Sequence, residues 1–119
     1  DYPERGLSMT QAELHAALKT LGLPVAYGEF KNTGENPAPP PPFITYQFTY
    51  GSDFKADNQN YIEISNFQVE FYSKNKDLVN EGNIQALLKN SRLPYVKREF
   101  YLDTEKLRQV IYEVQIVGG

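Results

Sequence analysis

The chain has 119 residues, a formal net charge of −3 and no cysteine, which fit one domain and exclude a disulfide framework and thiolate chemistry. This acidic balance argues against gripping nucleic acid by neutralising its phosphates, because that mode of binding requires a basic patch. No apolar run approaches the roughly 20 residues that span a bilayer. We therefore expect neither stable nucleic-acid binding nor membrane insertion.

The first eight residues carry no periodic pattern. The segment DYPERGLS, residues 1–8, precedes the first patterned residue, Met9. We interpret it as a leader that is either disordered or left over from cloning. Since the rest of the chain shows no internal repeat, we expect a single folded domain over residues 9–119.

The first patterned segment predicts a helix over residues 11–21. Thr10 and Glu13 match the S/T-x-x-E capping box, and leucines and alanines recur at helical spacing. Gly22 suits the position just past the helix end. A short edge strand is then predicted at residues 25–30, where VAYGEF is β-prone.

A proline-rich loop follows over residues 31–42. It stiffens towards polyproline II where Pro39, Pro40, Pro41 and Pro42 run into the next strand. Prolines cannot donate to a β-ladder, so this run is expected to shield the entry to the strand from stray pairing. The other interpretation is a preformed arm that docks into the aromatic groove of a partner.

Two strands are predicted next, at residues 43–50 and 61–73. The first alternates apolar and polar residues, whereas the apolar residues of the second change phase midway. A β-bulge near Ser65–Asn66 would turn all of them towards the core. The connection at residues 51–60 carries an aromatic residue, Phe54, that looks exposed.

A second helix is predicted over residues 75–91. Asn75 or Asp77 can cap its start. Its apolar face is expected to contain Leu78, Ile84, Leu87 and Leu88.

The remaining segments predict strands at residues 95–102 and 107–117. If the last strand lies between 61–73 and 95–102, all neighbouring strands are antiparallel. The predicted fold class is α+β, a two-layer sandwich of a mainly antiparallel four-stranded sheet, plus the short edge strand, with two helices on one face. The other face, rich in Thr, Gln, Glu and Tyr, is then free to meet water or a partner.

The sequence shows no pattern typical of an enzyme. His15 is the only histidine, and nucleophile-elbow, phosphate-loop and dinucleotide-binding motifs are absent from the sequence. Asp53 and Asp57 share a loop that lacks the glycine and distal glutamate of an EF-hand. The basic residues of the last hairpin alternate with acidic ones, which favours cross-strand pairing over a nucleic-acid patch. We expect no catalytic residue, cofactor or metal.

Several stretches together resemble a protein family. They are PPFITY, ADNQNY, VEFYSKNKD and LRQVIYEVQI, within a resemblance that covers Met9 to Val117. The chain is similar to the tail completion, or tail terminator, proteins of siphophages and prophages of Gram-positive bacteria. The resemblance implies a ring, commonly a hexamer, at the neck of the virion. Such a ring caps the tail tube and contacts the major tail protein and the head–tail connector proteins.

A closed ring requires two different patches on each subunit. The candidates are the Tyr-bearing sheet face, the edge beside residues 25–30, and the loop 51–60. The candidate contact residues of that loop are Phe54, Lys55, Asp57 and Asn58. Two alternatives stay open: another neck component, such as a connector or stopper ring, or an adaptor that binds a host protein through the Pro39–Pro42 arm.

Overall fold

The computed structural model of the chain describes residues 9–52, 54–55 and 61–117, with the backbone alone at 54–55 and 61–62. These residues form two helices and seven strands. The helices are α1 (Gln11–Lys19) and α2 (Leu78–Asn90). The strands are β1 (Val25–Tyr27), β2 (Phe43–Gly51), β3 (Phe54–Lys55), β4 (Tyr61–Ile62), β5 (Ile64–Ser73), β6 (Tyr95–Leu102) and β7 (Leu107–Val117).

Five strands form the main sheet, in the order β1-β2-β5-β7-β6. The prediction that the last strand lies between the strands flanking α2 is confirmed. The expectation that all neighbouring strands are antiparallel is wrong, because β1 pairs with β2 in parallel, with Val25 opposite Ile44. The long connection 28–42 allows this, since it returns the chain to the same end of the sheet. The fold is therefore α+β with a mixed sheet.

The single strand predicted over residues 61–73 is two strands. β4 pairs with β3 in a separate two-stranded sheet, whereas β5 begins at Ile64 and belongs to the main sheet. Residues before and after Glu63 therefore belong to different sheets. The change of phase in the sequence lies between Ile64 and Phe67, within β5, where the unshifted ladder with β7 places these two residues on opposite faces of the main sheet. Because β3 interrupts it, the connection 51–60 is also not a simple loop.

The predicted β-bulge exists but lies one strand away. The ladder between β5 and β7 runs without a shift from Ile64 to Ser73, so no bulge occurs at Ser65–Asn66. The register shifts on β2 instead, between Phe48 and Tyr50. The extra residue lies on the strand that is nearer the edge of the sheet, where bulges are common.

Both helices begin with side-chain caps. Thr10 and Glu13 form the complete predicted capping box, with bonds of 2.9 and 3.1 Å. In α2, Asp77 accepts a hydrogen bond from the Asn80 amide. Leu78, the first residue of α2, was predicted on its buried face but is 70% exposed.

The core lies between the helices and one face of the sheet. Leu14 and Leu18 of α1 and Ile84 and Leu88 of α2 belong to a single buried cluster, so both helices cover the same face, as predicted. The strands contribute Val25, Ile44, Tyr46, Phe67, Val69, Phe71, Val110, Tyr112, Val114 and Ile116. Within the described ranges, neither helix has the length and apolar character of a membrane span.

Candidate interaction surface

The only histidine has a structural contact. His15 of α1 lies over β2, where its Nδ1 is 2.9 Å from the hydroxyl of Tyr46 and the two rings are tilted against each other. Within the part of the chain that the structure describes, no three His, Cys, Asp or Glu residues gather in a way that could hold a metal ion. His15 therefore has a structural contact that links α1 to β2 of the main sheet.

We use the term open face for the side of the main sheet away from the helices. A buried carboxylate, Glu70, lies at its centre and is only 4% exposed. It accepts hydrogen bonds from the hydroxyl of Thr45 and from the side-chain amides of Gln47 and Gln68, the last two at 3.0 and 2.6 Å. Three neutral donors satisfy this buried charge. At the centre of the open face, therefore, polar side chains bond to one another in a network around Glu70.

Apolar side chains are exposed at the two edges of the sheet. At one edge they are Tyr27, Phe48 and Tyr50, which we name the β2-edge patch. At the other edge they are Val96, Phe100 and Tyr101, the β6-edge patch. All six side chains are between 45% and 59% exposed. The ladder with β7 places Val96 and Phe100 on the open face and Tyr101 on the side that carries the helices. Exposed apolar side chains concentrated along the edges of a sheet are candidates for an interaction site.

The β2-edge patch is held in place by internal contacts. The Tyr27 hydroxyl accepts a hydrogen bond from the Phe48 amide at 3.1 Å, and the Tyr27 ring packs edge-on against Tyr46. Phe48 packs edge-on against Phe67. The rings of Tyr27 and Phe48 are therefore held in place before any partner arrives, which lowers the entropy cost of binding.

A cleft joins the two edges at one end of the sheet. It has a volume of about 570 Å³ and runs from Tyr50 to Val96. Asn66, Gln68, Glu113 and Gln115 contribute to its lining. Apolar residues such as Phe67 and Val114 line it as well, so the cleft combines apolar and polar groups, as protein interfaces commonly do.

Ion pairs fix α2 over the β6 edge. Glu81 of α2 is 2% exposed and bonds to Lys76 and Lys97 at about 3 Å. Lys76 also bonds to Glu99 at 2.8 Å. Hydrogen bonds to Glu81 and Glu99 raise the pKa of Lys76, and the bond from Lys76 lowers the pKa of Glu99.

Both arginines of the last hairpin form ion pairs between its strands, as the sequence predicted. Arg98 pairs across the strands with Glu113, and Arg108 lies 3.7 Å from Glu99. The guanidinium of Arg108 also lies over the ring of Tyr101. These contacts use the positive charges within the subunit, so the hairpin does not present a purely basic surface.

The proline run of the predicted arm lies partly against the protein. Pro40 is exposed, whereas Pro39, Pro41 and Pro42 are half-buried, and the chain bends at Pro41 and Pro42. The next residue, Phe43, stacks on Tyr72 at 5.1 Å between ring centroids. The contact role of these prolines stays a prediction.

The contact residues predicted in the loop 51–60 are described in part. Phe54 and Lys55 form the short strand β3, and only their backbone is described. Asp57 and Asn58 lie outside the described residues. The contact role of this loop therefore stays a prediction.

Sequence reasoning named the edge beside residues 25–30, which contains Tyr27, but it did not find the exposed rings of Phe48 and Tyr50 or the β6-edge patch. Alternation placed Phe48 and Tyr50 on the same face as the buried Ile44. The bulge and the short reach of β1, which covers β2 only from Ile44 to Tyr46, leave the two rings exposed. The sequence of β6 did contain a signal. In YVKREFYL each of the two alternating sets of residues includes a charged side chain, so neither face of this strand is expected to be fully buried.

In comparisons with known proteins, no family model matches the chain, and no curated protein matches it significantly.

Proposed function

We propose that the chain is a structural subunit of a phage tail, rather than an enzyme. It assembles head to tail into a ring, caps the tail tube at the neck of the virion, and contacts the major tail protein and the head–tail connector. The resemblance of Met9 to Val117 to tail terminator proteins supports this role. The structural observation that carries it is the pair of apolar patches on opposite edges of one sheet.

Two unlike patches are what a ring requires. In a head-to-tail interface one surface of a subunit meets a different surface of the next, and the ring closes when the rotation permits. The β2-edge patch is aromatic and is held by internal contacts. The β6-edge patch combines Val96 and Phe100 with charged neighbours such as Arg98.

The acidic chain suits a ring that conducts DNA. A net charge of −3 repels phosphate and opposes tight binding of the passing genome. Because Arg98 and Arg108 of the last hairpin pair with carboxylates, these two residues add no strong local attraction.

Separate variants of the two patches test the proposal. Tyr50→Ser damages only the β2-edge patch, and Phe100→Ser damages only the β6-edge patch. Each variant alone should fail to form rings on tail tubes. A mixture of the two should stop at dimers, because one intact patch remains on each subunit. Val79→Ser, which changes an exposed apolar residue of α2 that belongs to neither patch, is the matched control.

Sedimentation and electron microscopy with purified tail tubes give the readout. If both patch variants form rings as the wild-type protein does, the head-to-tail arrangement is wrong. The alternative of a different neck component makes another prediction in the same samples. Cross-linking to the connector, with no cross-link to the major tail protein, would favour that alternative.

A further inference from the structure

The strand β6 is the longer edge of the main sheet. It has eight residues, of which all but Tyr95 and Leu102 are exposed, and no described strand pairs with its outer side. The opposite edge differs, because β1 has three residues, the Phe48 amide is bonded to Tyr27, and prolines precede β2. Natural proteins usually blunt a long free edge, since its unpaired amides and carbonyls recruit another strand.

The sequence of β6 is self-complementary about Arg98. Reading outwards from Arg98 in both directions gives Lys97 against Glu99, Val96 against Phe100, and Tyr95 against Tyr101. When two copies of a strand run antiparallel about a shared centre, these are the residues that face each other. Opposite charges and apolar pairs that face each other across strands stabilise a sheet.

The same register keeps the two faces of the sheet matched. The ladder with β7 places Lys97 opposite Tyr112 of the core side, and it places Arg98 opposite Ile111 of the open face. A pair centred on one residue joins positions of the same parity, so helices meet helices and open face meets open face. In this register Lys97 faces Glu99 of the second copy. Lys97 would then lie between that carboxylate and Glu81 of its own chain, to which it already bonds.

Neighbouring registers are unfavourable. A pair centred on Lys97 brings two lysines face to face, and a pair centred on Glu99 brings two carboxylates face to face. The register centred on Arg98 also has a like pair at its centre. Each Arg98, however, is paired with Glu113 of its own chain, so the two guanidinium groups are already neutralised.

We propose that the isolated protein forms a two-fold dimer by antiparallel pairing of β6 about Arg98, which joins two five-stranded sheets into one. Such an interface is closed at two copies. The observations behind it do not rest on the proposed ring. It covers the β6-edge patch, so a subunit in this dimer cannot use that patch in a ring at the same time.

Single cysteines can test the register, because the chain contains no native cysteine. In the proposed register the two copies of Arg98→Cys have Cα atoms roughly 4.5–5.5 Å apart, within the range that a disulfide spans. Mild oxidation should therefore convert this variant into a covalent dimer. The variant should fold, because Arg98 contributes only an exposed ion pair.

Two further variants serve as controls. Val96→Cys and Phe100→Cys, each alone, place the two thiols four residues apart along the paired strands, roughly 13 Å, and should stay uncross-linked. Their mixture should form a covalent heterodimer, since position 96 of one copy faces position 100 of the other. This mixture leaves Arg98 intact and tests the register even if Arg98→Cys fails to fold.

Sedimentation equilibrium of the wild-type protein completes the test. The mass should rise with concentration towards twice the chain mass of 13.6 kDa and go no higher. A monomer at every concentration would overturn the proposal. So would cross-linking of Phe100→Cys alone at the yield of Arg98→Cys, because it would show random collision or another register.

Discussion

At the scale of single residues, Glu81 explains how α2 is held over the sheet. Its carboxylate is buried and bonds to two lysines, one before the helix and one on β6. A buried charge without such partners would be strongly unfavourable. Lys76 and Lys97 are each more than a third exposed, so they keep part of their hydration while they satisfy the carboxylate.

Glu81→Gln should destabilise the protein. The substitution keeps the shape and removes the charge, so both ammonium groups lose an ionic hydrogen-bond acceptor, at a cost of about 1–3 kcal/mol. Glu113→Gln is the control, because its ion pair with Arg98 is about half exposed and is worth roughly 0–1 kcal/mol. Urea unfolding measures both values, and equal losses would contradict the role assigned to Glu81.

The environment of Tyr112 predicts that the stability of the fold depends on pH in the alkaline range. Its hydroxyl donates a hydrogen bond to Gln85 at 3.0 Å, and burial, with the charge of Glu81 as a smaller cause, raises the pKa of Tyr112 above the ordinary 10.0. Above pH 10 the unfolded chain loses the phenol proton first. The contribution of Tyr112 to stability is therefore complete below pH 10 and is lost as the pH rises through the folded-state pKa.

Tyr112→Phe should show this effect directly. At neutral pH the variant should be less stable than wild type by about 0.5–1.5 kcal/mol, because a hydrogen bond is lost. Above pH 10 the difference should shrink, since only the wild-type protein loses the contribution of the phenol. Unfolding curves at several pH values measure this difference, with the exposed residue change Tyr101→Phe as control. A constant difference across that range would refute the explanation.

At the scale of elements, local signals in the sequence predicted the start of α1. Thr10→Ala removes the side-chain oxygen that caps the Glu13 amide and should lower stability by about 1 kcal/mol. Thr10→Ser keeps a hydroxyl in that position and should retain most of the stability. Chemical unfolding compares the two, and equal losses would mean that the capping box contributes little here.

The proline run can be tested as an element. Replacing Pro39 to Pro42 by serine should leave binding to tail tubes intact, because the proposed ring contacts lie at the sheet edges. Stability should fall by about 0.4–1 kcal/mol per suitable site, since the unfolded chain gains freedom. Co-sedimentation with tubes is the measurement. Loss of binding by a folded variant would instead favour the adaptor interpretation.

Some helices and strands could be predicted from residues that are close together in the sequence. Capping boxes, alternation and turn residues act over a few positions, so α1, β2, β6 and β7 were predictable from their own residues. The break at Glu63 and the bulge on β2 depend on pairing with distant strands. The burial of Glu81 could not be predicted either, because Lys97, one of the two lysines that stabilise it, is its neighbour only in the fold.

At the scale of the whole molecule, the two faces of the sheet have different roles. One face packs under both helices, and the centre of the other is a closed polar network around Glu70. The exposed apolar side chains of the sheet are thus concentrated at its edges. The sequence predicted a free face but not this distribution, because which strands become edges is a property of the topology.

The proposed cap on the tail tube is tested most directly by tails assembled without this protein. Electron microscopy of such tails, beside tails complemented with the wild-type chain, should show overlong tubes or tubes that lack heads, because nothing ends their growth or joins them to the connector. Complementation should restore normal length and attachment. Tails of normal length, joined to heads in the absence of the protein, would contradict the account.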